Sequence, residues 1–166
     1  REEIVPLKVL ISVQNGRRYL AAYSISYKYY KVYRLDYLSD INIGEVCSAF
    51  DERREKFSLM QKNMWGVVCD ERRPLEHVEF TVHIGKDEEY IYRRLLREKR
   101  CGTVERIDER TCRFSADVYD SSELNPWIRT FIGRIENIEY SNKLYENRFN
   151  MDLQDMYRLY GLGGEE

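Results

Sequence analysis

Residues 4–35 hold six cations (Lys8, Arg17, Arg18, Lys28, Lys31 and Arg34), no acidic residue, and six of the 14 tyrosines: Tyr19, Tyr23, Tyr27, Tyr29, Tyr30 and Tyr33. Positive charge interleaved with flat rings is what a single-stranded nucleic acid requires, since phosphates need cations and unpaired bases need faces to stack on. A tyrosine-rich sheet with a solvated basic face accounts for the same composition without a ligand. The net charge conceals this segregation. The 166 residues carry 27 Lys+Arg against 29 Asp+Glu, or −2; residues 1–70 hold 11 against 9, or +2, and the remainder 16 against 20, or −4.

Other chemistry is poorly represented. The sequence contains no G-x-G-x-x-G, no G-x-x-x-x-G-K-[ST], no H-E-x-x-H and no G-x-S-x-G, so neither a phosphate-cradling loop nor a nucleophile elbow is available. The cysteines at 47, 69, 101 and 112 form no C-x-x-C pair, and His77 and His83 lie away from any cysteine pair. A zinc tetrahedron needs closely spaced ligands, so no metal or other cofactor is expected. His77 and His83 alternate with apolar residues and read as solvent-facing strand positions. The carboxylates Asp87-Glu88-Glu89 and Asp51-Glu52 read as helix-start charges, and Trp127 with Phe131 as core at helical spacing. The chain therefore reads as a non-enzyme.

Positioning the basic residues falls to a small sheet. Val5 to Ser24 reads as a hairpin, in which Leu7, Val9, Ile11 and Val13 alternate with Lys8, Leu10, Ser12 and Gln14 before a two-residue type I′ turn at Asn15-Gly16. That turn would set Gln14 opposite Arg17, Ser12 opposite Tyr19 and Lys8 opposite Tyr23. One face, with Val9, Ile11, Val13, Leu20 and Ala22, is expected to be core, with Arg18 at its rim. The other gathers Lys8, Ser12, Gln14, Arg17, Tyr19 and Tyr23. A third strand from about Tyr29 to Leu35 brings Arg34 near Tyr19 and Tyr23, and a fourth near Leu38 to Val46 would help close a small barrel. A short helix capped by Ser58 and running to Met64 or Trp65 serves as connector. The polar, proline-closed Asp70–Pro74 segment sets a domain boundary at about residue 72.

The second half, residues 73–166, has a separate rhythm. A strand at Val78–Ile84 precedes a helix begun by Asp87-Glu88-Glu89, with Ile91, Leu95 and Leu96 as its apolar stripe. Strands at Cys101–Ile107 and Thr111–Tyr119 follow, then a helix opened by Ser121 or Ser122, and a strand at Ile135–Tyr140. This βαββαβ order is that of the ferredoxin-like split arrangement. A last amphipathic helix runs from Asn142 to Tyr160, stopped at Gly161. The whole is an α+β protein of two domains, 1–72 and 73–166.

The same residues carry a resemblance. Tyr19-Leu20 after the Asn15-Gly16 turn, followed about 13 residues on by Tyr33-Arg34-Leu35-Asp36, resembles the core motif of the WYL domain, a ligand-sensing module of bacterial transcription regulators. Arg18 stands where that motif has Trp, and Tyr37 and Leu38 where the later motif has Arg and Ile. Phe57–Val67 resembles the family's connector, and residues 76–140, with Pro126-Trp127, its C-terminal WCX extension. The resemblance implies an SH3-like or Sm-like barrel followed by a ferredoxin-like domain. It also implies a nucleic-acid fragment or nucleotide as effector in a basic groove, homodimerisation through the extension, and promoter DNA bound by an N-terminal winged helix. The sequence opens on Arg1 rather than Met with no basic-then-apolar leader, so it is expected to begin inside a longer chain, and the resemblance implies that part of the first barrel strand precedes Arg1, since family members begin before the segment seen here as Val5-Pro6-Leu7.

The expectation is thus the ligand-sensing and dimerising portion of a transcription regulator, cytoplasmic and with reduced thiols. No apolar run approaches the length of a membrane span. Lys8, Arg17, Arg18, Tyr19, Tyr23, Lys31 and Arg34 are its candidate ligand-binding residues. A protein-interaction or dimerisation module without a nucleic-acid ligand is the alternative, its tyrosines packing in an interface.

Overall fold

Alternating β-branched and aromatic residues make three strands of the first part, and the breaks between them are local turn chemistry. β1 (Ile4–Ile11), β2 (Arg18–Ser24) and β3 (Tyr29–Arg34) form an antiparallel sheet in the order β1-β2-β3. The computed structural model describes residues 1–13 and 15–161. It falls into two compact units, Arg1–Leu75 and Glu76–Glu166, so the boundary lies three residues beyond the expected one at 72.

The first hairpin departs from expectation in register. Leu10 pairs with Tyr19 and Lys8 with Ala21, two residues away from the expected partners Ser12 and Tyr23. The loop is longer than two residues: the Ser12 N–H donates to the Arg17 carbonyl, and the Gly16 N–H to the Ser12 carbonyl. Gly16 takes φ +68°, the left-handed conformation that glycine adopts without steric cost. The expected Gln14–Arg17 pairing lies outside the described residues. A shift of two keeps every side chain on its face, but a second irregularity does not. Pairing slips between Pro6 and Lys8, leaving Leu7 as a bulge. Val5 therefore shares a face with Tyr23, whereas Val9 and Ile11 lie on the opposite one.

Helix α1 (Phe50–Met60) decides which face is core. It starts well before the expected Ser58 cap. Ser58 instead donates its hydroxyl to the Arg54 carbonyl at 3.0 Å within the helix, and a 3-10 turn at Gln61–Asn63 ends the run. Phe57 and Tyr30 stack at 6.3 Å, and Val5, Ala21, Tyr30, Phe57 and Met60 are buried. The face of Tyr19, Ala21, Tyr23, Tyr30, Val32 and Arg34 thus receives the helix. On the face expected to be core, Ala22 is buried and Leu20 half-buried, but the β1 side is bare, with Val9 55%, Ile11 65% and Val13 81% exposed. The expected fourth strand is also missing: residues 38–46 form no strand, and no closed barrel exists among the described residues.

The second unit follows its sequence pattern closely. Four antiparallel strands, β4 (Glu76–His83), β5 (Thr103–Arg106), β6 (Thr111–Val118) and β7 (Ile135–Tyr140), are ordered β5-β6-β4-β7. Val78, Phe80 and Val82 pair with Ala116, Phe114 and Cys112, and all six are buried. α2 (Glu89–Glu98) contributes Ile91 and Leu95 to the core, while Leu96, expected in that stripe, is exposed. The expected single helix after Ser121 is a succession of 3-10 and α turns from Ser121 to Arg134, with the short helix α3 (Asn125–Ile128) in its middle. Asp120 caps its start through the Ser122 N–H, and Leu124, Ile128 and Phe131 are buried. α4 (Lys143–Leu159) is capped by Asn142 and ends at Gly161, where φ is +66°. Trp127 sits edge-on to Phe80, Phe114 and Phe131 and donates its indole N–H to Glu98 at 2.9 Å, the core role expected of it. His77 and His83 are exposed and face Asp117 and Glu136.

Candidate nucleic-acid interface

The seven candidate residues do not form one patch. Strand alternation places Lys8, Tyr19, Tyr23 and Arg34 on the helix-covered face, with Arg17 continuing it beside the turn. Arg18, opposite Ile11, and Lys31, opposite Ala22, lie on the other face. Arg18 thus holds the face assigned to it, but that face is the open one.

At the end away from the turn the helix-covered face is filled. Tyr23 meets the edge of Tyr30 at 5.2 Å, and the Arg53 guanidinium lies 4.2 Å above its ring, so both neighbours are the protein's own. Lys8 remains exposed, and its ammonium donates to the Gln61 side chain at 3.0 Å. Lys31 is engaged on the opposite face by the Glu2 carboxylate and by the rings of Tyr27 and Tyr33 at 4.7 and 5.0 Å. Burial raises the Glu2 carboxyl, but hydrogen bonds from Ser24, Tyr33 and Lys31 outweigh it and hold the group below its ordinary range. Burial and that same carboxylate push the Tyr33 phenol well up.

The turn end is different. Tyr19 stands opposite Arg34, and the next turn of chain, the 3-10 segment Leu35–Tyr37, brings Asp36 and Tyr37 beside the guanidinium. Arg34 donates through Nε to Asp36 at 3.1 Å and through Nη1 to the Tyr37 hydroxyl at 2.8 Å, and forms a second bond to Asp36 through Nη2. Its guanidinium carbon lies 4.0 Å from the centre of the Tyr37 ring. The paired hydrogen bonds raise the Arg34 pKa and lower that of Asp36, whose carboxylate also feels Arg17. Five N–H donors less three in use leaves two for a ligand. Arg17 is exposed and forms no ion pair among the described residues.

Phosphate can therefore be met by Arg17 and by the spare donors of Arg34, and a base by Tyr19 or by the uncovered side of Tyr37, which is 72% exposed. Tyr37 and Asp36 were not among the candidates. Their signal was Arg34-x-Asp36-Tyr37, a spacing that lets one 3-10 turn return two side chains to a strand-end arginine.

The chain matches no protein-family model and no curated protein. Among the described residues no group of three or more His, Cys, Asp or Glu side chains could hold a metal ion, and no helix is long and apolar enough to cross a membrane.

Proposed function

We propose that the first unit binds a single-stranded nucleic acid or a nucleotide through Arg17, Tyr19, Arg34 and Tyr37, as the ligand-sensing portion of a bacterial transcription regulator. One observation carries this reading: Arg17, Arg34, the half-buried Tyr19 and the exposed Tyr37 lie at the turn end of the sheet, with the Tyr37 ring already stacked on the Arg34 guanidinium. Charge for phosphate and faces for bases are then adjacent, as a flexible polyanion needs. The segment 1–75 corresponds in this reading to the WYL-like module. The β5-β6-β4-β7 order of the second unit supports a ferredoxin-like, WCX-type extension that makes homodimers, with promoter DNA read by a winged helix outside residues 1–166.

Fluorescence anisotropy with a short labelled single strand tests the reading at low salt. Arg34→Ala is expected to weaken binding more than Lys28→Asn. Lys28 sits in the β2–β3 turn at the far end of the sheet with φ 60°, a conformation asparagine tolerates. No anisotropy change with the unaltered protein overturns the proposal, and equal losses reduce it to diffuse charge attraction.

A further inference from the structure

The second unit holds a cavity of about 310 Å³ that the proposed nucleic-acid site does not touch, within the range of about 300–1,000 Å³ for clefts that take a ligand. One wall is four consecutive residues of β7, 135–138. They belong to both faces of the sheet: Ile135 and Ile138 stand opposite the buried Val82 and Phe80, whereas Asn137 stands opposite Thr81 and Glu136 faces His83. A cavity that meets both faces lies beside the strand's edge. The other wall is Phe149, Asn150, Leu153 and Tyr157, one stripe of α4 at helical spacing. Since β7 ends the order β5-β6-β4-β7, the groove runs along an edge that pairs with no further strand among the described residues.

The ladder itself fixes which groups this edge offers. The Ser141 N–H donates to the His77 carbonyl at 2.9 Å, so Glu139 and Asn137, two and four residues back, also turn their main-chain groups to β4. The Tyr140 N–H points the other way and donates to the Glu146 carboxylate at 2.9 Å, which fills the edge at that end. Alternation turns the N–H and C=O of Ile138 outward as well, and neither has a hydrogen-bond partner among the described residues.

We propose that this groove takes an extended peptide by strand addition, with an apolar residue flanked by basic ones. The apolar residue pairs with Ile138 and exchanges both main-chain bonds with it, as directly opposite residues of an antiparallel ladder do. Opposite residues share a face, so its side chain falls on the core side of the sheet, into the cavity lined by Ile132, Phe149 and Leu153. The two neighbouring peptide residues then lie on the other face, where Glu136, Asn137 and Glu139 are exposed. Glu139 accepts from the Asn137 amide at 3.0 Å and forms no ion pair among the described residues, and Glu136 pairs with His83 alone, at 3.4 Å. Lysine or arginine at both flanks supplies the missing opposite charge. The peptide's outer edge faces α4, where the Asn150 side chain carries both a donor and an acceptor.

Amide-resolved NMR of the unaltered chain tests this with blocked peptides. The probe is acetyl-Ser-Lys-Val-Lys-Ser-amide at millimolar concentration. One control carries Glu in place of both Lys, and another a methyl group on the valine nitrogen, which deletes the donor to the Ile138 carbonyl. The Lys peptide is expected to shift the amides of Ile138 and of α4 around Asn150 and Leu153, and to slow exchange of the Ile138 N–H. Each control is expected to bind roughly fivefold more weakly or worse, the first from like-charge repulsion and the second from a lost hydrogen bond. No shift, or shifts confined to other parts of the chain, overturns the proposal. Equal binding by the N-methyl peptide overturns strand addition, and equal binding by the Glu peptide overturns the assignment of basic flanks.

Discussion

Arg17 and Arg34 differ in how far their charge is already spent: Arg17 forms no ion pair among the described residues, whereas Arg34 is doubly bonded to Asp36. Substitutions at this site should therefore move affinity in opposite directions. Each phosphate held on a single strand contributes about −0.7 to the slope of log affinity against log salt. With one phosphate on each arginine the slope is about −1.4, and raising salt from about 50 to about 200 mM lowers affinity roughly sevenfold. Arg17→Ala removes one contact, so the slope should fall to about −0.7 and the same salt step should cost roughly 2.6-fold. Asp36→Asn removes the anion that competes with phosphate and releases donors of Arg34, so it should tighten binding severalfold at low salt. Lys28→Asn, at the opposite end of the sheet, should change neither slope nor low-salt affinity appreciably. Anisotropy titrations of a labelled single strand at four salt concentrations read all three. A slope of about −1.4 retained by Arg17→Ala, or weaker binding by Asp36→Asn, refutes the assignment of phosphate to these side chains.

The second unit offers stability tests of its internal chemistry. The buried Tyr140 hydroxyl donates to Asn125 Oδ1 at 2.6 Å, so Tyr140→Phe leaves a buried acceptor unpaired and should cost about 1–3 kcal/mol, read as a lower urea midpoint. A Cβ at Gly102 would stand 2.3 Å from the Phe114 ring, so Gly102→Ala should lose about 1–3 kcal/mol through displaced core packing, and an unchanged thermal midpoint would contradict that contact. Burial raises the Glu98 carboxyl, but hydrogen bonds from Trp127, Arg97 and Arg94 outweigh it and leave the folded-state pKa below the ordinary 4.5. Its stabilisation is thus complete above the unfolded-state pKa and is lost as pH falls through the folded-state value. Glu98→Gln should flatten the acid limb in urea midpoints measured at pH 6 and 3.5, and an acid limb as steep as the parent's would show that Glu98 does not carry it.

Much of the second unit was legible because each of its signals agrees with its neighbours. Val78, Phe80 and Val82 keep strict alternation along β4, Asn142 and Gly161 bracket α4 at cap and stop, and the order of strands and helices followed directly. What failed there was fine: Leu96 belongs to the apolar pattern of α2 but is 40% exposed, whereas Ile91 and Leu95 are buried. The helical run after Asp120 alternates between 3-10 and α turns, a distinction that apolar spacing does not encode.

The first unit was misread for a reason that also created its candidate site. Alternation from Leu7 to Val13 makes the odd-numbered row the more apolar, and with an unbroken strand that row would carry Val5 with it into the core. The bulge at Leu7 breaks that continuity, so Val5 goes under the helix with Tyr23 while Val9 and Ile11 turn outward. Nothing in the composition of residues 4–13 marks the slip except Pro6, which an edge strand tolerates because it needs no ladder donor. Once Val5, Ala21 and Tyr30 are buried and Tyr30 stacks on Phe57, the polar row of the hairpin is the covered one. Its ring at Tyr23 is consumed in packing, and its turn end, beyond Phe57, is where Tyr19 and Arg34 still reach the surface. The cation-and-tyrosine composition was thus a sound signal with the wrong extent: it marks both the helix-packing end of one face and the ligand-competent end. At the turn end Arg34, held by Asp36 and Tyr37, keeps two N–H donors beside Tyr19.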